Sequence, residues 1–176
     1  FGIWSEISYQ SFLEQAQWVG CALNYFGLDR FDKAAVHSEN RPEWIIADIG
    51  IQSIRAITVG LYPTNPPSEV KYLLGHSESK ILFAEDQEQV DKALEVKDEL
   101  PNLQKIIYFE DRGVVGYKDE ILMSWEEFLS IGKEELEKNN SFVTSRMEEI
   151  ETSDVACLIY TSGTTGAPKG SMISHG

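Results

Sequence analysis

Cysteine is nearly absent from this 176-residue chain: Cys21 and Cys157 are the only two. They lie far apart and belong to no cluster with metal-ligand spacing, so neither a metal centre nor a disulfide is expected of them. Two buried, reduced thiols are the expectation, as in a cytoplasmic protein. Basic residues are scarce as well. Fifteen Lys and Arg stand against 29 Asp and Glu, a formal net charge of −14. A nucleic-acid surface needs a basic footprint, which excludes that class of partner; the acidity is read as serving solubility. No run of about 18 apolar residues occurs, so no membrane span is expected, and peripheral membrane association stays open. No charged segment precedes an apolar run at the start, so no signal peptide is visible. The chain begins at Phe1 and stops at Gly176, just after a motif, and both ends read as cut. Internal repeats of fixed period and low-complexity tracts are also missing.

What is present is ordinary globular material. Apolar residues make up 42% of the chain and charged ones 25%, with four Trp, seven Tyr and eight Phe. That suffices for a sizeable core and excludes global disorder. The length fits one domain, or one and a fraction.

Helix and strand signals alternate along the chain. A short strand is expected over Ile3 to Ser8. Ser8 can cap, and Ser11 with Glu14 reads as a capping box. Phe12, Ala16, Val19, Leu23 and Phe26 then recur at i, i+4, i+7, i+11 and i+14, one apolar helix face, with Gly27 as the stop. Ala34 to Ser38 reads as a strand. Asn40, Pro42 and Glu43 open a helix whose Trp44, Ile45, Ala47, Ile49, Ile51 and Ile54 suggest burial on more than one side. Ala56 to Tyr62 is a near-continuous apolar run, as in a strand covered on both faces. Pro63, Asn65, Pro66 and Pro67 break it, and Tyr62, Pro63 and Asn65 shape a strand-to-helix turn. A helix through Glu69 to Leu74, a strand over Lys80 to Ala84, a helix capped by Asp86 and ended by Pro101, and a strand over Lys105 to Phe109 follow. Ser124 and Glu127 form another capping box, before a helix with Trp125, Phe128, Leu129 and Leu136 inward. Lys138 to Ser145 reads as a polar connector, and Val155 to Tyr160 as a last apolar strand. The acid-rich segments Asp86 to Glu99 and Glu126 to Glu137 are solvated helix faces. This order predicts an α/β layer fold with a mainly parallel sheet.

The last strand runs into YTSGTTGAPKG, residues 160–170, and Val155 to Gly176 contains no Asp or Glu. The stretch is not a Walker A loop, because Lys169 follows Pro168 where that loop has Gly. It is not the dinucleotide fingerprint either. Gly163 and Gly166 give only G-x-x-G, and the residues after Lys169 alternate like a strand. The loop is therefore expected to join two strands. Gly163 and Gly166 permit backbone angles that turn N–H groups inward. Ser162, Thr164 and Thr165 are short uncharged donors, and Lys169 adds a point charge on a flexible stem. These are the parts needed to hold a polyphosphate in an acidic protein.

TSGTTGAPKG resembles the phosphate loop of the adenylate-forming superfamily, which includes acyl-CoA synthetases, luciferases and the adenylation domains of peptide synthetases. HSENRPEW, followed by an apolar helix and VGLYPTNPPSEVKYLLGHSESKILFAED, is similar to the N-terminal part of long-chain fatty-acyl-CoA synthetases. The resemblance spans nearly the whole chain. It implies that residues 1–176 are part of an N-terminal AMP-binding domain, with the C-terminal domain absent. The implied reaction has two steps: a fatty-acid carboxylate attacks the α-phosphate of ATP, and the thiol of coenzyme A then displaces AMP. By the same resemblance Thr161, Ser162, Gly163, Thr164, Thr165, Gly166 and Lys169 bind the β- and γ-phosphates. Lys169 acts in catalysis, and the Thr161 hydroxyl meets Mg²⁺, whose acidic partner would come from a part of the family not in this chain. Position 171 is Ser where relatives carry an apolar residue, and Phe31 stands where relatives often have Gly. The adenine-binding, ribose-binding and C-terminal lysine segments are expected beyond Gly176, so these residues alone are expected to be inactive.

Two other readings compete. The adenylate could pass to a carrier-protein thiol, or the chain could be a non-catalytic anion-binding or interaction domain. His37, His76 and His175 are expected to be structural, Trp44 and Trp125 to be core anchors, and no Ser–His–Asp arrangement can be argued.

Overall fold

A hydroxyl opens the first helix. In the computed structural model, which describes residues 4, 6–161 and 167–176, the side chain of Ser8 accepts the backbone N–H of Ser11 at 3.1 Å. The helix α1 (Tyr9–Tyr25) therefore starts one turn before the expected Ser11 box. Residues 6–8 carry no strand, because the chain there is already the approach to the cap. Ala16, Val19 and Leu23 are buried as the periodicity requires, with Phe12 and Phe26 half-buried at the two ends of that face. Gly27 ends the helix at φ +81°, a conformation that costs glycine little.

The strand β1 (Lys33–His37) leads to α2 (Pro42–Ser53). Arg41, not Asn40, is the residue before the helix, and no side chain caps it. Pro42 takes the first helical position, where a backbone N–H has no helical partner, and Glu43 reaches back to Arg41 Nε at 2.7 Å. Burial of α2 is one-sided: Ile46, Ala47 and Ile51 face the core, while Ile45 and Ile49 are exposed. The remaining elements are β2 (Ile57–Leu61), α3 (Pro67–Ser77), β3 (Ile81–Ala84), α4 (Gln87–Val96), β4 (Lys105–Tyr108), β5 (Leu122–Ser124), α5 (Trp125–Lys138), α6 (Phe142–Glu148), β6 (Val155–Thr161) and β7 (Lys169–Ser174). Asp86 caps α4 through the Glu88 N–H at 2.8 Å. Ser124 and Glu127 form the expected reciprocal box at the start of α5. The polar stretch expected as a connector instead contains the start of α6, because Phe142 and Val143 reach the core.

The described strands form one seven-stranded sheet in the order β5-β4-β3-β1-β2-β6-β7. All neighbours are parallel except β6 and β7. The α/β class with a mainly parallel sheet is therefore the fold observed. Side chains alternate between its two faces. Val36 and Phe83 join Leu23, Ile51 and Phe128 under α1, α2 and α5. Ala35, Val59 and Leu82 join Val70, Leu74 and Val90 under α3 and α4. Burial on both faces is why β3 reads ILFA without a polar residue.

The end of β1 carries a buried histidine. His37 is fully buried, and neither ring nitrogen has a hydrogen-bond partner among the described residues. Burial first, and the charge of Lys92 second, lowers its pKa from 6.5 to about 4. The carbonyls of Tyr62 and Pro63 lie nearby but outside hydrogen-bond geometry, and offset this only in part. Above the unfolded pKa the ring is neutral in both states and contributes nothing. As pH falls below 6.5 the unfolded chain binds a proton that the folded chain refuses, and stability drops until pH reaches about 4. The loss approaches ~3 kcal/mol. In His37→Leu this component of the acid slope is expected to vanish, as read by urea unfolding at stepped pH. An unchanged slope would show that His37 does not carry it.

Candidate functional site at the β6–β7 hairpin

The strands β6 and β7 pair as two legs of an antiparallel hairpin, as the alternating residues after Lys169 imply. Thr161 and Lys169 are direct cross-strand partners at its end. Residues so placed hold their Cβ atoms ~5 Å apart. Both are exposed. Two of the candidate phosphate ligands are thus brought together. The other five, Ser162, Gly163, Thr164, Thr165 and Gly166, lie outside the described residues.

Position in the sheet explains where this hairpin end lies. The strand β6 runs parallel to β2, with Thr58 opposite Cys157 and Gly60 opposite Ile159. The C-terminal ends of β1, β2 and β6 therefore share one edge of the sheet. There the chain leaving β1 enters α2 in one helix layer, and the chain leaving β2 enters α3 in the other. Such divergence opens a crevice, the usual place for a ligand in an open α/β sheet. A cleft of about 460 Å³ occupies it, bounded by Asn40, Trp44, Asp48, Tyr62, Cys157 and Ile159 among others. Alternation along β6 puts Thr161 on the same sheet face as Cys157 and Ile159. Trp44 is thus half-buried against the core and also a cleft wall, which the expectation of a core anchor missed.

The other face of the hairpin is held by α3. Tyr160 is buried, and its hydroxyl lies 2.8 Å from His76 Nδ1. Burial pushes the phenol pKa up, and Tyr72 adds to the shift, so the hydroxyl keeps its proton. The Tyr72 ring stacks on His76 with centroids 5.4 Å apart, and its hydroxyl donates to the Pro168 carbonyl at 2.8 Å. Gly170 lies opposite Tyr160, and a Cβ there would stand 3.1 Å from the ring. A side chain at 170 would press on the tyrosine, so the residue after Lys169 is small for a packing reason. His76 was expected to be structural, and Tyr72 carried no assignment. Their i, i+4 spacing marks one helix face, but nothing local shows what that face meets.

The start of β6 is fixed by charge. Arg55, at φ +65°, donates to Asp154 through Nη2 at 2.7 Å and Nε at 3.0 Å. The backbone N–H of Glu151 first, and Arg55 after it, hold the Asp154 carboxyl below the ordinary carboxylate range. For a metal the described residues offer little: no group of three or more His, Cys, Asp and Glu is placed to hold one among them.

Comparison with known proteins agrees with this geometry. Residues 1–176 match the family described as AMP-binding enzyme. Long-chain-fatty-acid–CoA ligase ACSBG2 of Xenopus laevis is 35% identical over 176 residues, covering 98% of this chain and 23% of that protein. Long-chain-fatty-acid–CoA ligase FadD15 of Mycobacterium tuberculosis is 29% identical over 174 residues, covering 99% of this chain and 27% of that protein. The chain thus spans about a quarter of the length of these relatives. Among solved structures, the anthranilate CoA ligase AuaEII in complex with anthranoyl-AMP matches with a TM-score of 0.75 at 24% identity, over 97% of this chain and 30% of that one. That likeness is one of fold. With the family match running the full length of the chain, this chain belongs to the AMP-binding enzyme family, the adenylate-forming superfamily.

Proposed function

We propose that this chain is the N-terminal, phosphate-holding part of an ATP-dependent acid–CoA ligase that activates a long-chain fatty acid. The observation that carries the reading is the pairing of Thr161 with Lys169 at the C-terminal edge of the sheet, in a segment without acids. The relatives named as long-chain-fatty-acid–CoA ligases support the substrate class.

In the proposed reaction the fatty-acid carboxylate attacks the α-phosphate of ATP, and pyrophosphate leaves. Negative charge grows on the β- and γ-phosphates as that bond breaks. A fixed cation and fixed donors stabilise it more than they stabilise bound ATP, which lowers the barrier. Lys169 supplies the cation and Thr161 a hydroxyl. Coenzyme A then takes the acyl group and AMP departs. The Thr161 hydroxyl fits one ligand position of Mg²⁺, a hard ion that takes oxygen ligands and would neutralise phosphate charge. The low acid density around the hairpin favours polyphosphate over a bare cation there.

The test is exchange of labelled pyrophosphate into ATP by the full-length protein, with and without fatty acid. Exchange that depends on a long-chain fatty acid is expected, with acyl-CoA as the product when coenzyme A is added. No exchange with any fatty acid would sink the ligase reading. Exchange with acyl transfer only to a carrier-protein thiol would move the acceptor.

A further inference from the structure

We propose that Tyr72 and His76 of α3 are positioning residues for ATP: they clamp both legs of the β6–β7 hairpin and so set the spacing between Thr161 and Lys169. The proposal rests on the ligase reading above. It concerns residues that lie outside the phosphate motif, about ninety positions earlier in the chain.

The clamp has two jaws on one helix turn. His76 Nδ1 meets the Tyr160 hydroxyl at 2.8 Å, and Tyr160 immediately precedes Thr161. The Tyr72 hydroxyl donates to the Pro168 carbonyl at 2.8 Å, and Pro168 immediately precedes Lys169. The two jaws stack on each other at 5.4 Å, and the His76 ring meets the Tyr160 ring edge-on at 5.7 Å. Each leg is therefore gripped one residue before its functional side chain, by the same rigid element.

Pro168 explains why a side chain is needed. Proline has no backbone N–H, so the β6–β7 ladder cannot gain a proline N–H bond beyond the Thr161–Lys169 pair. Hairpin ends with few backbone bonds open readily. Tyr72 ties down the carbonyl at that point. A clamp of this kind matters for rate because a cation contributes to catalysis only when it is preorganised at the phosphate. It matters less for folding. His76 is exposed, and Tyr72 is half-buried at the margin of the core under α3 and α4, where Phe keeps the ring.

The experiment uses the full-length protein and measures steady-state pyrophosphate exchange with ATP and fatty acid varied separately. Loss of one net hydrogen bond corresponds to about a tenfold effect. In Tyr72→Phe, Tyr160→Phe and His76→Leu, kcat/KM for ATP is expected to fall about tenfold. KM for the fatty acid and the melting temperature are expected to stay near wild type. The double variant His76→Leu with Tyr160→Phe is expected to lose no more than either single one, since both remove the same bond. His76→Asn, whose amide stands near the Nδ1 position, is expected to recover most of the loss. Unchanged ATP kinetics in all three variants overturn the clamp while leaving the ligase reading intact. Equal losses for ATP and fatty acid, or no recovery in His76→Asn, also overturn it. If the wild type shows no exchange, the ligase reading fails. ATP affinity by calorimetry then decides the clamp, and equal affinity in wild type and variants, or no binding at all, overturns it.

Discussion

Lys169→Ala is expected to slow adenylate formation about 10²- to 10³-fold in the full-length protein, the range for removing one preorganised donor from a developing negative charge. The effect should fall on kcat more than on KM for ATP. On the proposed mechanism, the charge that Lys169 would meet is larger in the transition state than in bound ATP. Folding should be indifferent, because Lys169 is exposed at the hairpin end. Lys169→Arg is expected to recover part of the rate, since it restores charge but with a planar, bulkier head. Single-turnover formation of acyl-adenylate reads all of this. A normal rate in Lys169→Ala would remove the lysine from the machinery, whatever the exchange assay says of the wild type.

Among the described glycines, Gly132→Ala is expected to be the most damaging added methyl. The helices α1 and α5 cross where Gly132 sits against the backbone of Trp18. A Cβ at 132 would stand 1.8 Å from the Trp18 carbonyl oxygen and 2.5 Å from its carbonyl carbon. The obstacle is main chain, so no rotamer change relieves it, and the helices must part. That opens the layer where Phe128 stacks on Phe26 and meets Phe83 edge-on. Overpacking of this kind costs about 3 kcal/mol or more, which for a chain of this size is a fall in Tm of roughly 6–12 °C. Gly116→Ala is the control, because a Cβ there meets nothing within 4 Å; its stability should stay within about 1 kcal/mol of wild type. Thermal unfolding followed by circular dichroism separates the two. Equal melting temperatures would show that α1 and α5 do not cross this closely.

Both effects begin as short-range features of sequence and end as questions of placement. The proposal that Lys169 serves a phosphate starts from its neighbours, because the chemistry of an anion loop is carried within ten residues. That a glycine at 132 is compulsory could not be read from its neighbours. Within its own helix Gly132 is only a poor helix former, costing about 1 kcal/mol relative to Ala. The reason for it is Trp18, more than a hundred residues earlier. The cap at Ser8 shows the same limit on a smaller scale. Ser8 and Ser11 both have the right neighbours for a helix start, and in the folded chain Ser8 is the cap. The strand β5 is three residues long and carries too few side chains for alternation to reveal it. For α6, polar residues hid the inward-facing Phe142 and Val143.

The sequence by itself determined the α/β class, the strand-to-hairpin course of the last segment, and the family of the chain. Each of these is written in signals that act over a few residues: hydrophobic period, caps, and hydroxyl, glycine and lysine spacing. Only the tertiary structure decided that Thr161 faces Lys169 at the edge where β1, β2 and β6 end, and that Tyr72 and His76 hold the two legs beneath them. It also decided that His37 is buried with no hydrogen-bond partner among the described residues. Those facts depend on which strand lies beside which. Strand order follows from burying apolar faces from distant parts of the chain in two common layers, and no local stretch of sequence contains that information.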